Sequence, residues 1–276
     1  MQRYAVIGNP IAHSRSPEIH AAFARVCGIE LSYERVLAPK DGFVACVDGL
    51  RAEGFRGANV TVPFKLDAHA YADERTSAAV WAGAANTLIF GDRVLADNTD
   101  GVGLVRDITV NLHAELKGKK ILLLGAGGAA RGVLQPLLLQ QPAAVVVKNR
   151  SLDKAQTWLA DVQRADDFAD VLGNSNLSVA AWDEASTDAG AYDIIINATA
   201  SGLGAEFVPP SGVGLTQNTL AYDMMYGKPT AFMQWAQSHD ARTADGWGML
   251  VEQAAKAFEI WHGIAPDTSV LIAARP

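Results

Sequence analysis

The segment LLLGAGGAARG, residues 122–132, constrains the fold of this chain more than any other. It holds G-x-G-x-x-A as Gly125, Gly127 and Ala130. Alone, such spacing says little. Here it ends KKILLLG (119–125), a continuous apolar run of the kind found at the centre of a parallel sheet, and it opens the helical stretch GGAARGVLQPLLLQ. Gly125 permits the tight turn, Gly127 lets backbone approach a pyrophosphate, and the small Ala130 lets the helix pack close on the strand. The helix N-terminus offers free N–H groups and a partial positive charge to phosphates. A structural turn without a ligand is the alternative reading.

Further strands and helices build a doubly wound unit around this loop. They are AAVVVKNR (143–150), SLDKAQTWLADV (151–162), YDIIINATA (192–200) and LAYDMMY (220–226). An NAD-binding unit usually sets an acid at the end of the second strand, for the ribose hydroxyl. This chain has Lys148, Asn149 and Arg150 there, with Lys154 one helical turn on. Cations and an amide suit a 2′-phosphate, so NADP is the expected cofactor and Arg150 its main clamp; a solvated basic strand end is the alternative. Asp153 sits in a first helical turn, where an acid has its own reason to be.

The N-terminal part also alternates strand and helix. YAVIG (4–8), SYERVL (32–37) and FRGANVTV (55–62) read as strands, and SPEIHAAFARVCG (16–28) and FVACVDGLRAEG (43–54) as helices. In the first of these helices Ser16 is the expected N-cap, Pro17 the first helical residue and Gly28 the stop. NTLIF and RVLAD, joined by Gly91-Asp92, form an expected hairpin. GMLVEQAAKAFEIWHG (248–263) is a long amphipathic helix. A length of 276 residues suits two α/β domains. TDAGA (187–191) reads as a surface loop.

The net charge of −7 makes a nucleic-acid partner a poor fit. The two cysteines, Cys27 and Cys46, have no disulfide or metal spacing. With neither a signal-like N-terminus nor a membrane-length apolar run, the expectation is a reduced, soluble, cytoplasmic protein. Two N-x-T triplets, at Asn59 and Asn197, then need an explanation other than glycosylation.

A bound dinucleotide implies hydride transfer, and a carbonyl oxygen taking up a hydride's charge needs a proton partner. The histidines are poorly set for this. His20, His69 and His113 read as surface helix residues, His239 and His262 lie near helix ends, and His13 is in a loop. NVTVPFK (59–65) offers Lys65 instead: Pro63 stops the strand, and a short helix can begin at the lysine. A lysine in a partly desolvated pocket can exchange protons near neutrality, and a carboxylate would orient it. Asp100 in DNTDG is the best partner, and Asn86 in AGAANTL a further polar group at a strand start. A surface lysine, a helix N-cap and a turn asparagine are the alternative readings of these three. Ser14 and Ser16 are hydroxyls at a helix N-terminus, able to hold a small carboxylate. Tyr226 and Gln253 are further candidates, Gln253 on the expected buried helix face, where a satisfied core amide is the alternative.

Nine motifs run in order along the whole chain: NPIAHSRSPEIH, GANVTVPFK, GAANTL, DNTDGVG, LLGAGGAARG, KNRSLDKA, NATASGL, DMMYGKPTAF and GWGMLVEQAAKAF. Together they resemble the shikimate/quinate dehydrogenase family, and within it the NADP-dependent shikimate dehydrogenases. The resemblance implies reversible reduction of 3-dehydroshikimate to shikimate by NADPH, in chorismate and aromatic amino-acid biosynthesis. It implies Lys65 as catalytic acid/base with Asp100 beside it, and Ser14 and Ser16 on the substrate carboxylate. Thr61, Asn86, Asp100, Tyr226 and Gln253 would complete the substrate pocket. Gly125, Ala126, Gly127, Gly128, Ala129, Asn149, Arg150, Ser151, Lys154, Met224 and Gly246 would hold the cofactor, with Thr199 near its nicotinamide end. No metal is implied. The implied fold is a discontinuous α/β catalytic domain (1–101 plus 238–276) and a Rossmann NADP-binding domain (102–237), with the active site in the cleft between them. Against the family pattern, Ala85 stands where valine is common, Trp247 where leucine is common, and Ser151 where threonine is common. A quinate/shikimate dehydrogenase with relaxed cofactor use, a methylenetetrahydrofolate dehydrogenase and an inactive ligand-sensing homologue are the competing readings. Neither membrane nor nucleic acid is an expected partner, and no motif separates a monomer from a homodimer.

Overall fold

The computed structural model describes residues 1–184, 192–199 and 207–275. The TDAGA segment (187–191) and residues 200–203 of NATASGL lie outside them. The chain divides into two units, Met1–Leu104 with Leu250–Arg275, and Val105–Met249.

The first unit contains β1 (Gln2–Gly8), α1 (Ser16–Cys27), β2 (Leu31–Leu37), α2 (Phe43–Ala52), β3 (Gly57–Val60), α3 (Lys65–Tyr71), β4 (Glu74–Arg75), α4 (Ser77–Ala82), β5 (Thr87–Phe90) and β6 (Val94–Asp97). Its sheet has the order β2-β1-β3-β5-β6-β4. β1 is parallel to β2 and β3, while β5 is antiparallel to β3 and β6. The expected hairpin is present, with Phe90 opposite Val94. Ile7, Phe43, Val47, Phe64 and Leu88 belong to one core cluster of this unit. A second, aromatic cluster joins His20 and Phe23 of α1 to Phe258 and Trp261 near the chain's end. Gly57 carries no side chain because Trp261 lies on it: a Cβ there would stand 2.5 Å from Trp261 Nε1. That nitrogen donates to the Leu88 carbonyl at 3.2 Å, which pins the returning C-terminal helix to the sheet.

Next along the chain come α5 (Asp100–Arg106), a π-helical turn (Asp107–Asn111), β7 (Lys120–Leu124), α6 (Gly128–Leu138), β8 (Ala144–Asn149), α7 (Leu152–Val162), α8 (Phe168–Leu172), β9 (Asn176–Ala181), β10 (Ile194–Asn197), β11 (Leu220–Asp223), α9 (Ala231–Gln237) and β12 (Arg242–Ala244). The second unit's strands lie in the order β12-β11-β10-β7-β8-β9, all parallel. This is the 3-2-1-4-5-6 order of the Rossmann fold, read from the other edge. Ile121 to Leu124 of β7 are completely buried, as a central parallel strand requires. The helix α10 (Trp247–His262) and the short α11 (Ser269–Ala273) end the chain. The return to the first unit falls at Leu250, later than the sequence boundary at 238, because β12 is hydrogen-bonded into the second sheet beside β11.

Three local expectations are corrected. Ser16 is not an N-cap: α1 starts at Ser16, Arg15 holds the cap position without a side-chain bond, and the Ser16 hydroxyl is left for other partners. His113 lies beyond the π-helical turn at φ 52°, outside any helix. His20 is not at the surface. It is fully buried, stacked on Tyr33 with ring centroids 4.3 Å apart, and burial pushes its pKa down from 6.5 to about 3. The unfolded chain therefore takes up a proton near pH 6.5 that the folded chain refuses. This contribution to stability is complete above pH 6.5 and is lost as the pH falls toward 3, by about 1.4 kcal/mol per pH unit at most. His20→Phe is expected to flatten the fall in unfolding free energy between pH 6.5 and 5, followed by urea titration; an unchanged slope would contradict the assignment.

Candidate active site

Each group in the first unit is set by the end of an element. Thr61 follows β3, and its N–H donates to the Ile7 carbonyl at 2.9 Å, so the chain keeps to the sheet until the turn at Pro63. The turn closes with Phe64 N–H on the Thr61 carbonyl at 3.0 Å, and α3 begins at Lys65. The Lys65 carbonyl accepts from Ala85 N–H at 2.8 Å, which ties this helix start to the AGAANTL loop. Ala85 is wholly buried in the core cluster.

Lys65 Nζ donates to Asp100 Oδ2 at 2.5 Å, with 22% of the lysine and 9% of the aspartate side chain exposed. The other oxygen, Oδ1, accepts from Asn86 Nδ2 at 2.8 Å. That amide nitrogen also lies 3.0 Å from Thr99 Oγ1 and 3.3 Å from Gln253 Oε1. Asn86 Oδ1 accepts from Thr99 N–H at 2.9 Å and from Thr87 Oγ1 at 2.9 Å. The Gln253 amide donates to the Leu250 carbonyl at 2.8 Å. Lys65, Asn86, Asp100 and Gln253 thus meet in one cluster, joined by Thr99. Nothing in the motif spacing singles out Thr99, although it lies inside DNTDG. Ser14 and Ser16 form a separate pair, Oγ to Oγ 3.2 Å, and the Ser14 carbonyl is clamped by Arg35 at 2.7 and 2.9 Å.

In the second unit Gly125 turns at φ 104°, where a Cβ would stand 3.3 Å from the Ala198 carbonyl and 3.3 Å from Thr199 Cγ2. The ends of β7 and β10 therefore approach closely at the point where the sheet's winding reverses, the usual place for a nucleotide. Gly127 caps α6 without a side-chain bond, and a Cβ on Gly127 or Gly128 would project into open space. Bare N–H groups facing open space at a helix start fit a pyrophosphate. Arg131 folds back over this loop, Nε donating to the Ala126 carbonyl at 3.2 Å, a contact not expected from the motif.

At the end of β8, Arg150 is exposed and lies over the Trp182 ring at 5.8 Å, and Lys154 is exposed on α7. Asn149 Nδ2 holds the Ser151 carbonyl at 2.8 Å. Lys148 departs from the expectation of a cationic group for a 2′-phosphate. It is 1% exposed, and its ammonium donates to the carbonyls of Glu184 (2.6 Å) and Ser211 (2.8 Å). Burial lowers its pKa. The cationic strand end is thus Arg150 with Lys154, and no acid replaces them; these residues fit NADP better than NAD. Thr199 Oγ1 donates to Asn197 Oδ1 at 2.7 Å. Gly246 packs on Met224, and Tyr226 meets the buried Trp247 edge-on at 6.3 Å.

A Rossmann sheet with an open glycine loop, in a chain that also carries a half-buried lysine paired with a buried carboxylate, defines a two-domain α/β oxidoreductase of the dinucleotide-binding class. Family comparison narrows this. Residues 6–88 match the shikimate dehydrogenase substrate binding domain, 107–204 shikimate/quinate 5-dehydrogenase, and 246–274 the shikimate 5′-dehydrogenase C-terminal domain. The chain is 52% identical to the shikimate dehydrogenase (NADP(+)) of Methylobacillus flagellatus, over 99% of this chain and 98% of that one. Among solved structures, an Ael1 enzyme from Pseudomonas putida superposes with a TM-score of 0.88 at 41% identity, covering 100% of this chain and 98% of that one. Shikimate 5-dehydrogenase from Thermus thermophilus, in complex with NADP(H) and shikimate, gives 0.82 at 32% identity, covering 100% and 98%. The chain belongs to the shikimate dehydrogenase family.

Gly246 offers a check on local packing that needs no substrate. A Cβ there would stand 2.3 Å from the Met224 carbonyl oxygen, which backbone alone can relieve. Gly246→Ala is expected to cost about 1–3 kcal/mol and to lower Tm by several degrees in thermal unfolding.

Proposed function

We propose that this chain interconverts 3-dehydroshikimate and shikimate with NADP(H), with Lys65 as the group that moves the proton. The observation that carries the reading is the 2.5 Å contact between Lys65 Nζ and Asp100 Oδ2, set among the amides of Asn86 and Gln253. The names of the relatives support the substrate and the cofactor. A biosynthetic enzyme of this kind works in the cytoplasm.

NADPH, when bound, supplies the hydride that adds to the ketone carbon. The carbonyl π-electrons then move onto oxygen, and Lys65 gives that oxygen its proton, leaving a neutral amine that solvent reprotonates. In the reverse direction Lys65 accepts the hydroxyl proton. Asp100 keeps the ammonium aimed, and Asn86 keeps Asp100 from turning. Ser14 and Ser16 take the substrate carboxylate, and Thr61, Gln253 and Tyr226 its hydroxyls. Gly125 to Ala129, with Met224, Gly246 and Thr199, hold the cofactor's pyrophosphate and nicotinamide portions. Arg150, Asn149, Ser151 and Lys154 hold its 2′-phosphate end.

The reaction is tested by following NADP reduction at the nicotinamide absorbance with shikimate, with NAD and quinate run in parallel. Fast turnover is expected with shikimate and NADP; equal rates with NAD or quinate would assign the chain to a broader-specificity enzyme. Lys65→Ala is expected to lower kcat about 10²–10⁴-fold while the KM for shikimate moves little. A loss confined to KM would exclude the proton-transfer role. Arg150→Ala is expected to raise the KM for NADP about 10–100-fold and to leave that for NAD nearly unchanged.

A further inference from the structure

Trp182 and Lys148 have no part in the chemistry above. The last paired residues of β8 and β9 are Asn149 and Ala181, so Arg150 and Trp182 leave the sheet side by side. Arg150 is exposed, and among the described residues its guanidinium makes no hydrogen bond and no ion pair. Its partner is the Trp182 ring, with Cζ 5.8 Å from the ring centroid, inside the range at which a cation is drawn to an aromatic face. The half-buried indole is itself firmly anchored. Its Nε1 donates to the Val208 carbonyl at 3.1 Å, and it meets the buried Phe207 ring edge-on at 6.2 Å. The Trp182 carbonyl accepts from Ser211 N–H at 3.0 Å. Glu184 closes the turn that carries the indole, Oε2 accepting from Ala181 N–H at 3.0 Å. The buried Lys148 ammonium then ties the two stretches together, donating to the Glu184 carbonyl at 2.6 Å and the Ser211 carbonyl at 2.8 Å. A lysine under the sheet's end thus holds the turn, and the turn holds a flat ring against Arg150.

We propose that Trp182 is a positioning residue for cofactor selectivity, a support that holds the Arg150 guanidinium ready for the 2′-phosphate of NADP. The inference rests on the NADP(H) reading above. An arginine lying over a ring keeps its N–H fork in its own plane, free to take a phosphate. An unsupported exposed arginine samples many rotamers, and fixing it costs binding free energy. The ring does part of that ordering before the cofactor arrives. NAD carries no 2′-phosphate, so its binding does not draw on the support.

Binding measured without turnover separates this role from the chemistry. Adenosine 2′,5′-bisphosphate and 5′-AMP differ only in the 2′-phosphate, and calorimetric titration gives a Kd for each. Trp182→Leu is expected to weaken adenosine 2′,5′-bisphosphate about 3–10-fold and to leave 5′-AMP within about twofold. The KM for NADP should rise by a similar factor. Trp182→Phe keeps a ring face and is expected to stay within about twofold of the wild type for both ligands. In an Arg150→Ala background Trp182→Leu should change the Kd for the bisphosphate less than about 1.5-fold, because the residue through which it acts is gone. Equal weakening of both ligands, or the same fold-change with and without Arg150, would overturn the inference. If the leucine variant does not fold, Trp182→Met fills much of the same space without a ring and carries the same expectation. A wild type that binds the two ligands equally would overturn the NADP reading and the inference with it. A wild type that prefers the bisphosphate, with a leucine variant that keeps the full preference, would overturn the inference only.

Discussion

The Lys65–Asp100 pair is the interaction around which the first unit's polar interior is arranged. Asp100 is 9% exposed at its side chain, and a carboxylate so far out of water is tolerated only when its remaining lone pairs are also met. One oxygen takes the ammonium and the other takes the Asn86 amide. The three residues come from three element boundaries: the first residue of α3, the residue before β5 and the first residue of α5. Each boundary is held by backbone before any side chain is considered. Ala85 N–H on the Lys65 carbonyl and Val60 N–H on the Asn86 carbonyl, both at 2.8 Å, fix two of them. The pair can therefore be aimed in advance, and a lysine that transfers protons gains most from an aim that needs no rearrangement.

Much of this was legible in the sequence where local physics decides. The glycine loop after an apolar run, the hairpin at Gly91-Asp92 and the proline before Lys65 each act through their own backbone, and each stands where the pattern puts it. β9 and β12 were not legible. β9 is an edge strand with little buried surface, and β12 is three residues long, so neither carries a hydrophobic run. Lys148 was misread for a different reason. Its burial depends on the carbonyls of Glu184 and Ser211, and no pattern within β8 reports chain that passes over it from 36 and 63 residues away. His20 was misread although the signal was present. Ser16, Ile19, His20, Phe23 and Ala24 are the buried residues of α1, an i, i+3, i+4 stripe that places the histidine on the inner face.

The N-x-T triplets show how far such reasoning can be taken. Both asparagines lie at or near the carboxyl ends of strands, Asn59 in β3 and Asn197 as the last residue of β10. At a strand's end the ladder stops, and neighbouring chain leaves the sheet with backbone groups to satisfy. An amide side chain meets that need because it donates and accepts at once. Asn59 gives its hydrogens to the Asn86 carbonyl and Thr87 and its oxygen to Tyr33. Asn197 donates to the buried Asp223 at 3.2 Å and accepts from Thr199, both N–H and hydroxyl. Asp223 is in turn held by Thr230 and by Met225 N–H, bonds that offset a burial which raises its pKa. In each unit, then, one buried asparagine fixes the geometry of the residues that leave the sheet. An aspartate would bring a charge into the same place without hydrogens to give, and a leucine would leave several buried partners unmet. The residue type follows from the end of the strand, and the triplet needs no sugar to explain it.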